Sequence, residues 1–169
     1  MKESVKEVFM NQIRIAKLLK GTTIMAGFIL AFFFFVYIPK IGYEMAYLGY
    51  DNVEFLYAPC LAVAWGVAVL CYLSLWRFWC VCSEIQKDNS FSMKNANAII
   101  WISRYAFIVA VLLVGALGTL CFTGYMNPGG FILFGFGIFV ALGAFIVTYC
   151  LAMLVKNAAI LKEQTEFTI

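Results

Sequence analysis

The sequence predicts an all-α integral membrane protein, a four-helix bundle with both termini on the cytoplasmic side. Three observations lead there. Charged residues make up only 12% of the 169-residue chain, and hydrophobic ones 64%; a soluble domain carries about 25% charge. Four long apolar runs approach or exceed the length that crosses the hydrocarbon of a bilayer, for which about 20 residues suffice. Eleven of the twelve Lys and Arg residues fall on one side of those runs. With a mean hydropathy of +0.93, the chain has too little polar surface to cover its apolar bulk in water. Residues 1–169 are expected to form one domain.

Residues 1–20 come first, with five basic side chains (Lys2, Lys6, Arg14, Lys17 and Lys20) and two acidic ones. Val5, Val8, Phe9, Ile13 and Ala16 recur at three- and four-residue steps. The segment is therefore an amphipathic cytoplasmic helix, either lying on the inner leaflet or extending the first span. The first span is about 21–38 (GTTIMAGFILAFFFFVYI). It is too long for a signal-peptide core and no small-residue cleavage site follows, so it is expected to stay in the mature protein. A connector, 39–54, carries Glu44, Asp51 and Glu54 against Lys40, with Tyr43, Tyr47, Tyr50 and Tyr57 suited to an interfacial belt.

The second span is about 55–76, with Ala58, Ala62 and Gly66 at four-residue spacing. The window 86–97, QKDNSFSMKNAN, follows it; Ser90 or Ser92 is expected to cap the next helix. The third span, about 99–122, has Arg104 near its start, then Ala106 with Ala110 and Gly115 with Gly118. Residues 123–130 (TGYMNPGG) predict a hairpin with Pro128 and Gly129 at the centre of a type II turn. The fourth span, about 131–155, carries Gly137, Ala141, Ala144 and Thr148. Lipid is as apolar as leucine, so such small-residue seams are what lets helices associate. They are expected to pack within the chain, homo-oligomerisation being the other use.

Orientation follows from the basic residues. The first connector holds only Lys40 and the third holds none. The positive-inside rule puts the N-terminus, the 83–97 loop and the C-terminal tail in the cytoplasm.

Chemistry is scarce. The chain has no histidine, which removes the commonest general base and metal ligand. No ionisable group sits in the middle of a span, where each costs at least about 2.5–3.5 kcal/mol. Proton-coupled carriers, voltage sensors and intramembrane metalloproteases are thereby disfavoured. The six cysteines show no framework spacing, and the helical rotation of about 200° between Cys80 and Cys82 keeps them off one metal ion. Cys60 and Cys121 are left open as a disulfide pair. The expectation is a non-enzyme without cofactor or metal and without direct nucleic-acid binding, whose constant partner is the lipid bilayer. Glu44, Asp51 and Glu54 are candidates for binding a cation or peptide, against the reading that they are merely solvated.

The segment DNSFSMKNANAIIWISRYAFI and the tail LVKNAAILKEQTEFTI resemble the YoaS-like family of small bacterial four-span membrane proteins of unknown function. A Phe-x-x-x-Asn signature opening the third helix maps to Phe91 and Asn95. A tail signature maps to Leu161, Glu163, Gln164, Phe167, Thr168 and Ile169. Ser90 replaces a usual proline or glycine, Gln164 an acid and Phe167 a leucine. The resemblance implies a multi-pass protein of the bacterial plasma membrane. It also implies a helix-turn-helix regulator as partner, since genes of that family often lie beside one. The expected function is thus regulatory or sensory, with Phe91, Asn95, Glu163, Glu166 and Phe167 on the partner-binding face. The alternatives are a small pore, carrier or immunity-type protein for an amphiphile or peptide, its path lined by Thr22, Thr23, Ser74, Thr119, Thr148 and the tyrosines, or an assembly subunit of a membrane complex.

Overall fold

The computed structural model describes residues 2–44, 47, 54–86, 92–124, 126 and 128–166, with side chains between Arg14 and Thr165. The described residues are helical almost throughout: α1 (Lys2–Phe32), a π-helical segment (Phe33–Tyr37), α2 (Ile38–Tyr43), α3 (Glu54–Ile85), α4 (Met93–Phe122) and α5 (Pro128–Glu166). Four helices are long and apolar enough to cross a membrane, the first from Arg14 through Tyr43.

α1 is unbroken from Lys2, so of the two placements for residues 1–20 the structure has the helical extension of the first span. The helix also outlasts its expected end at 38. Pro39 explains how. It has no N–H to give the carbonyl of Phe35, and its ring crowds that oxygen. The chain responds with one wide turn: Ile38 donates its N–H to the Phe33 carbonyl, five residues back. The helix then continues through Pro39 to Tyr43.

Local signals set the ends of α4. Ser92 is extended (φ −128°, ψ 151°), and its Oγ accepts from the Asn95 N–H at 3.3 Å; this is an N-cap. At the other end Gly124 takes φ +75° and donates its N–H to the Cys121 carbonyl at 3.2 Å, as a glycine just past a helix does. The expected type II turn at Pro128–Gly129 is corrected here: both residues belong to the first turn of α5. Proline's fixed φ and missing N–H suit a helix start, where that N–H has no partner anyway.

α3, α4 and α5 have 32, 30 and 39 residues. At about 1.5 Å per residue they measure about 45–58 Å, against about 30 Å of hydrocarbon. The excess lies mostly at the end that holds Lys20, Arg77, Arg104 and Lys156, the basic end.

Neighbouring helices approach in chain order: α1 and α2 against α3, α3 against α4, and α4 against α5, with no close backbone approach between α1 and α5 among the described residues. α1 and α3 share one antiparallel register. Tyr57 lies against Gly42, Tyr72 donates its hydroxyl to the Gly27 carbonyl at 2.9 Å, and Lys20 lies over Trp79. The core on the α1 side is Phe34, Val67 and Ala68, flanked by Leu30, Cys71, Val109, Leu112 and Leu113.

α4 and α5 share the longest seam. The Phe107 and Phe145 rings lie 5.3 Å apart, and Leu113 reaches to 3.3 Å from where a Cβ would stand on Gly137. Ala96, Ser103 and Ala110 on α4 are buried at seven-residue spacing, as are Ala152 and Ala159 on α5. That heptad step is the mark of near-parallel helix axes. Of the expected seams, the one on α5 holds at Gly137 and Ala141 and runs on toward the basic end, and the first one on α4 holds at Ala110. Those in the other halves of α3 and α4 turn away from the chain. Ala58, Ala62 and Gly115 are exposed, and nothing lies within 4 Å of a Cβ built on Gly66, Gly115 or Gly118.

Candidate interface at the basic end

Packing is tightest at the basic end. Ala16, Cys82, Ala96 and Ala152 have no exposed surface, and Asn95 and Ser103 have 2% and 1%. The reason is side-chain size: Ala, Ser and Cys let backbones close up, and all the most deeply buried residues are small. Ser103 donates its hydroxyl to the Ile100 carbonyl at 2.8 Å, so its polar atom costs little when buried.

A girdle of basic and aromatic side chains surrounds this core at the boundary of the apolar runs. Lys20, the last residue before the first apolar run, donates to Gln86 Oε1 at 2.7 Å and lies 5.2 Å from the Trp79 ring centre. This ties α1 to the end of α3. Arg77, the first residue after the second run, lies 5.7 Å from the Trp101 ring centre. Arg104, just before the third run becomes uncharged, lies 4.9 Å from the same centre. Tyr105 adds a ring 5.9 Å from Trp101.

The antiparallel pairing of α3 and α4 is what brings Arg77 and Arg104 to one level. Their guanidinium carbons can be no farther apart than the sum of their two distances to Trp101. Unit charges about 10 Å apart repel by about 0.4 kcal/mol in water and about 1.7 kcal/mol at an effective dielectric of about 20. Trp101 offsets part of this, at about 0.5–1 kcal/mol per exposed cation–π contact. Among the described residues no carboxylate lies within ion-pair reach of either guanidinium. Arg77, Trp79 and Trp101 were not among the residues singled out from sequence. Their signal was present: three of the four tryptophans, Trp76, Trp79 and Trp101, sit within a few residues of the basic boundary.

The residues that were singled out fall in several places. Asn95 is buried inside the stem, so its side chain is not presented to solvent. Glu163 is exposed, and so are all of residues 161–165. By equal steps along α4 and α5 from the Phe107–Phe145 pair, Met93 is level with Ala159, so α5 runs on about two turns beyond the start of α4. Phe91, Phe167 and Asp51 lie outside the described residues, as does the side chain of Glu166. At the far end Glu44 and Glu54 are exposed, beside a tyrosine cluster in which Tyr43 and Tyr47 stack at 4.6 Å and Tyr47 meets Tyr57 edge-on at 6.0 Å.

The remaining polar groups of the spans are committed locally. Thr22 and Thr23 donate to the Leu19 carbonyl, Ser74 to Leu70, Thr119 to Ala116 and Thr148 to Ala144. Each hydroxyl proton thus bonds its own helix three or four residues back. Cys60 and Cys121 are both free thiols. No group of three or more potential metal ligands occurs among the described residues.

No curated protein and no solved structure matches the chain. A family model described as "protein of unknown function (DUF2975)" matches residues 42–169. That span takes in α3, α4, α5 and the girdle on Arg77, Trp101 and Arg104, and it leaves the whole of α1 outside. With some three quarters of its length matched, this four-span chain belongs to the DUF2975 family of proteins of unknown function.

Proposed function

We propose that the protein is a non-enzymatic regulatory or sensory membrane protein that presents its basic end to a small soluble regulator. The single observation that carries this is the tail. α5 extends about two turns past its partner helix, and Leu161–Thr165 are exposed. A helix that served only to cross the bilayer would end where its seam ends. The tight small-residue core beneath it, from Ala152 to Ala159, fixes the direction in which the tail projects.

In this reading the basic end faces the cytoplasm of a bacterial cell, by the positive-inside rule. The resemblance to YoaS-like proteins makes a helix-turn-helix regulator the partner. Glu163 and Glu166 meet its basic groups, Phe91 and Phe167 add apolar contact, and Asn95 braces the loop from within. The locally bonded hydroxyls favour this reading over a carrier, because they offer no free donors along a path.

The test is recovery of the adjacent-gene regulator on the tagged full chain from detergent extract. Phe91→Ala combined with deletion of 163–169 should reduce recovery at least about tenfold, the loss of about 1.4 kcal/mol or more of binding. Equal recovery by both proteins would overturn the proposal.

A further inference from the structure

We infer that Arg77 and Arg104, gathered on Trp101, form a binding site for a phosphate oxyanion at the membrane boundary. The inference concerns the lipid side of the girdle and stands apart from the regulator reading. Four observations converge on it.

Two guanidinium groups share one indole, at 5.7 and 4.9 Å from its centre. They come from different helices, so the antiparallel α3–α4 pairing holds them together rather than chance proximity along one strand of sequence. Neither has a carboxylate within reach among the described residues. An ion pair would have used up the fork of donors; among the described residues none takes them up. The stacked ring also limits the rotamers of both side chains, which lowers the entropy lost when a ligand arrives.

The location supplies the ligand class. Arg77 ends one apolar run and Arg104 precedes another, so both groups stand where hydrocarbon gives way to headgroups. Guanidinium matches two phosphate oxygens with two parallel N–H donors. Trp101 and Tyr105 present apolar faces beside it, as interfacial aromatics do. A phosphate oxyanion, carried by an anionic lipid headgroup or free in solution, fits this pair of cations. The girdle's third cation differs. Lys20 already donates to Gln86 and is tied to α3.

The chain has only three arginines, Arg14, Arg77 and Arg104, which permits a test on the unmodified protein. The purified full chain in neutral detergent is treated with phenylglyoxal, alone, with phosphatidylglycerol, or with inorganic phosphate. Modification of each arginine is read by peptide mass. The expected result is slower modification of Arg77 and Arg104 in the presence of a phosphate ligand, with exposed Arg14 unchanged. Protection by phosphatidylglycerol alone assigns the site to lipid; protection by both assigns it to the phosphate group itself. Modification of Arg77 and Arg104 that neither phosphatidylglycerol nor inorganic phosphate slows would overturn the inference.

A second measurement uses native mass spectrometry of retained phosphatidylglycerol. The R77Q/R104Q double variant should weaken retention about tenfold, and K40Q, at the opposite end, should leave it unchanged. Retention unaffected by the double variant would likewise overturn the inference.

Discussion

Gly124 shows how much rests on single residues. Its φ of +75° is open to glycine and strained by about 1–2 kcal/mol for an L side chain. Gly124→Ala should therefore lower stability by about 1 kcal/mol, although nothing crowds its Cβ position, and the drop is measurable by thermal unfolding in detergent. Gly66→Ala, in helical backbone with the same open space, should be neutral or slightly stabilising. Ser92 makes the matching point at the start of α4. Ser92→Ala removes the acceptor for the Asn95 N–H and should cost about 1 kcal/mol. Of the two serines considered from sequence, the choice between Ser90 and Ser92 rested on where the backbone turns extended, which composition does not reveal.

The π segment and the α4–α5 seam belong to the scale of elements. Pro39 was visible in the sequence as a helix breaker, yet the helix passes it. A wide turn costs less in a membrane boundary than exposing several unpaired backbone groups. Pro39→Ala should let Phe33–Tyr37 return to α-helical spacing. That would rotate the helix beyond it and part Tyr57 from Gly42, which crosslinking of cysteines placed at 42 and 57 would report as lost.

On the seam, size decides. Ala152 has no exposed surface, so Ala152→Leu should destabilise by about 1–3 kcal/mol through overpacking. Ala62→Leu faces outward and should change stability by less than about 0.5 kcal/mol. If the two substitutions behaved alike in thermal unfolding, the assignment of the buried seam would be wrong. That seam extends to Ala159, beyond the apolar run that marks the span in the sequence, because the helix does not stop where the run does.

For the whole molecule, no more than 11% of any of the four 18-residue apolar windows is buried inside the chain. Phe28, Phe122, Phe139 and Ile132 are each more than 70% exposed. Such a surface is stable only in lipid, which is why the tightest packing sits at the basic end, where water replaces lipid as the surroundings. The orientation of that end is open to a direct measurement. In a cysteine-free background, a membrane-impermeant maleimide applied to whole cells should label Lys40→Cys and not Ser90→Cys. The reverse pattern would invert the topology and move the proposed regulator surface outside.

Composition and the lengths of the apolar runs determined by themselves that this chain is helical and crosses a membrane four times, because unpaired backbone polar groups cannot be left in hydrocarbon. The helix start at Ser92 and the basic boundary at Lys20, Arg77, Arg104 and Lys156 were likewise legible, being local in sequence. The tertiary structure decided which small-residue seams are used, that Asn95 turns inward, and that Arg77 and Arg104 meet on Trp101. Those outcomes depend on the register between helices far apart in sequence, and that register is set by how side-chain volumes interlock along a whole seam.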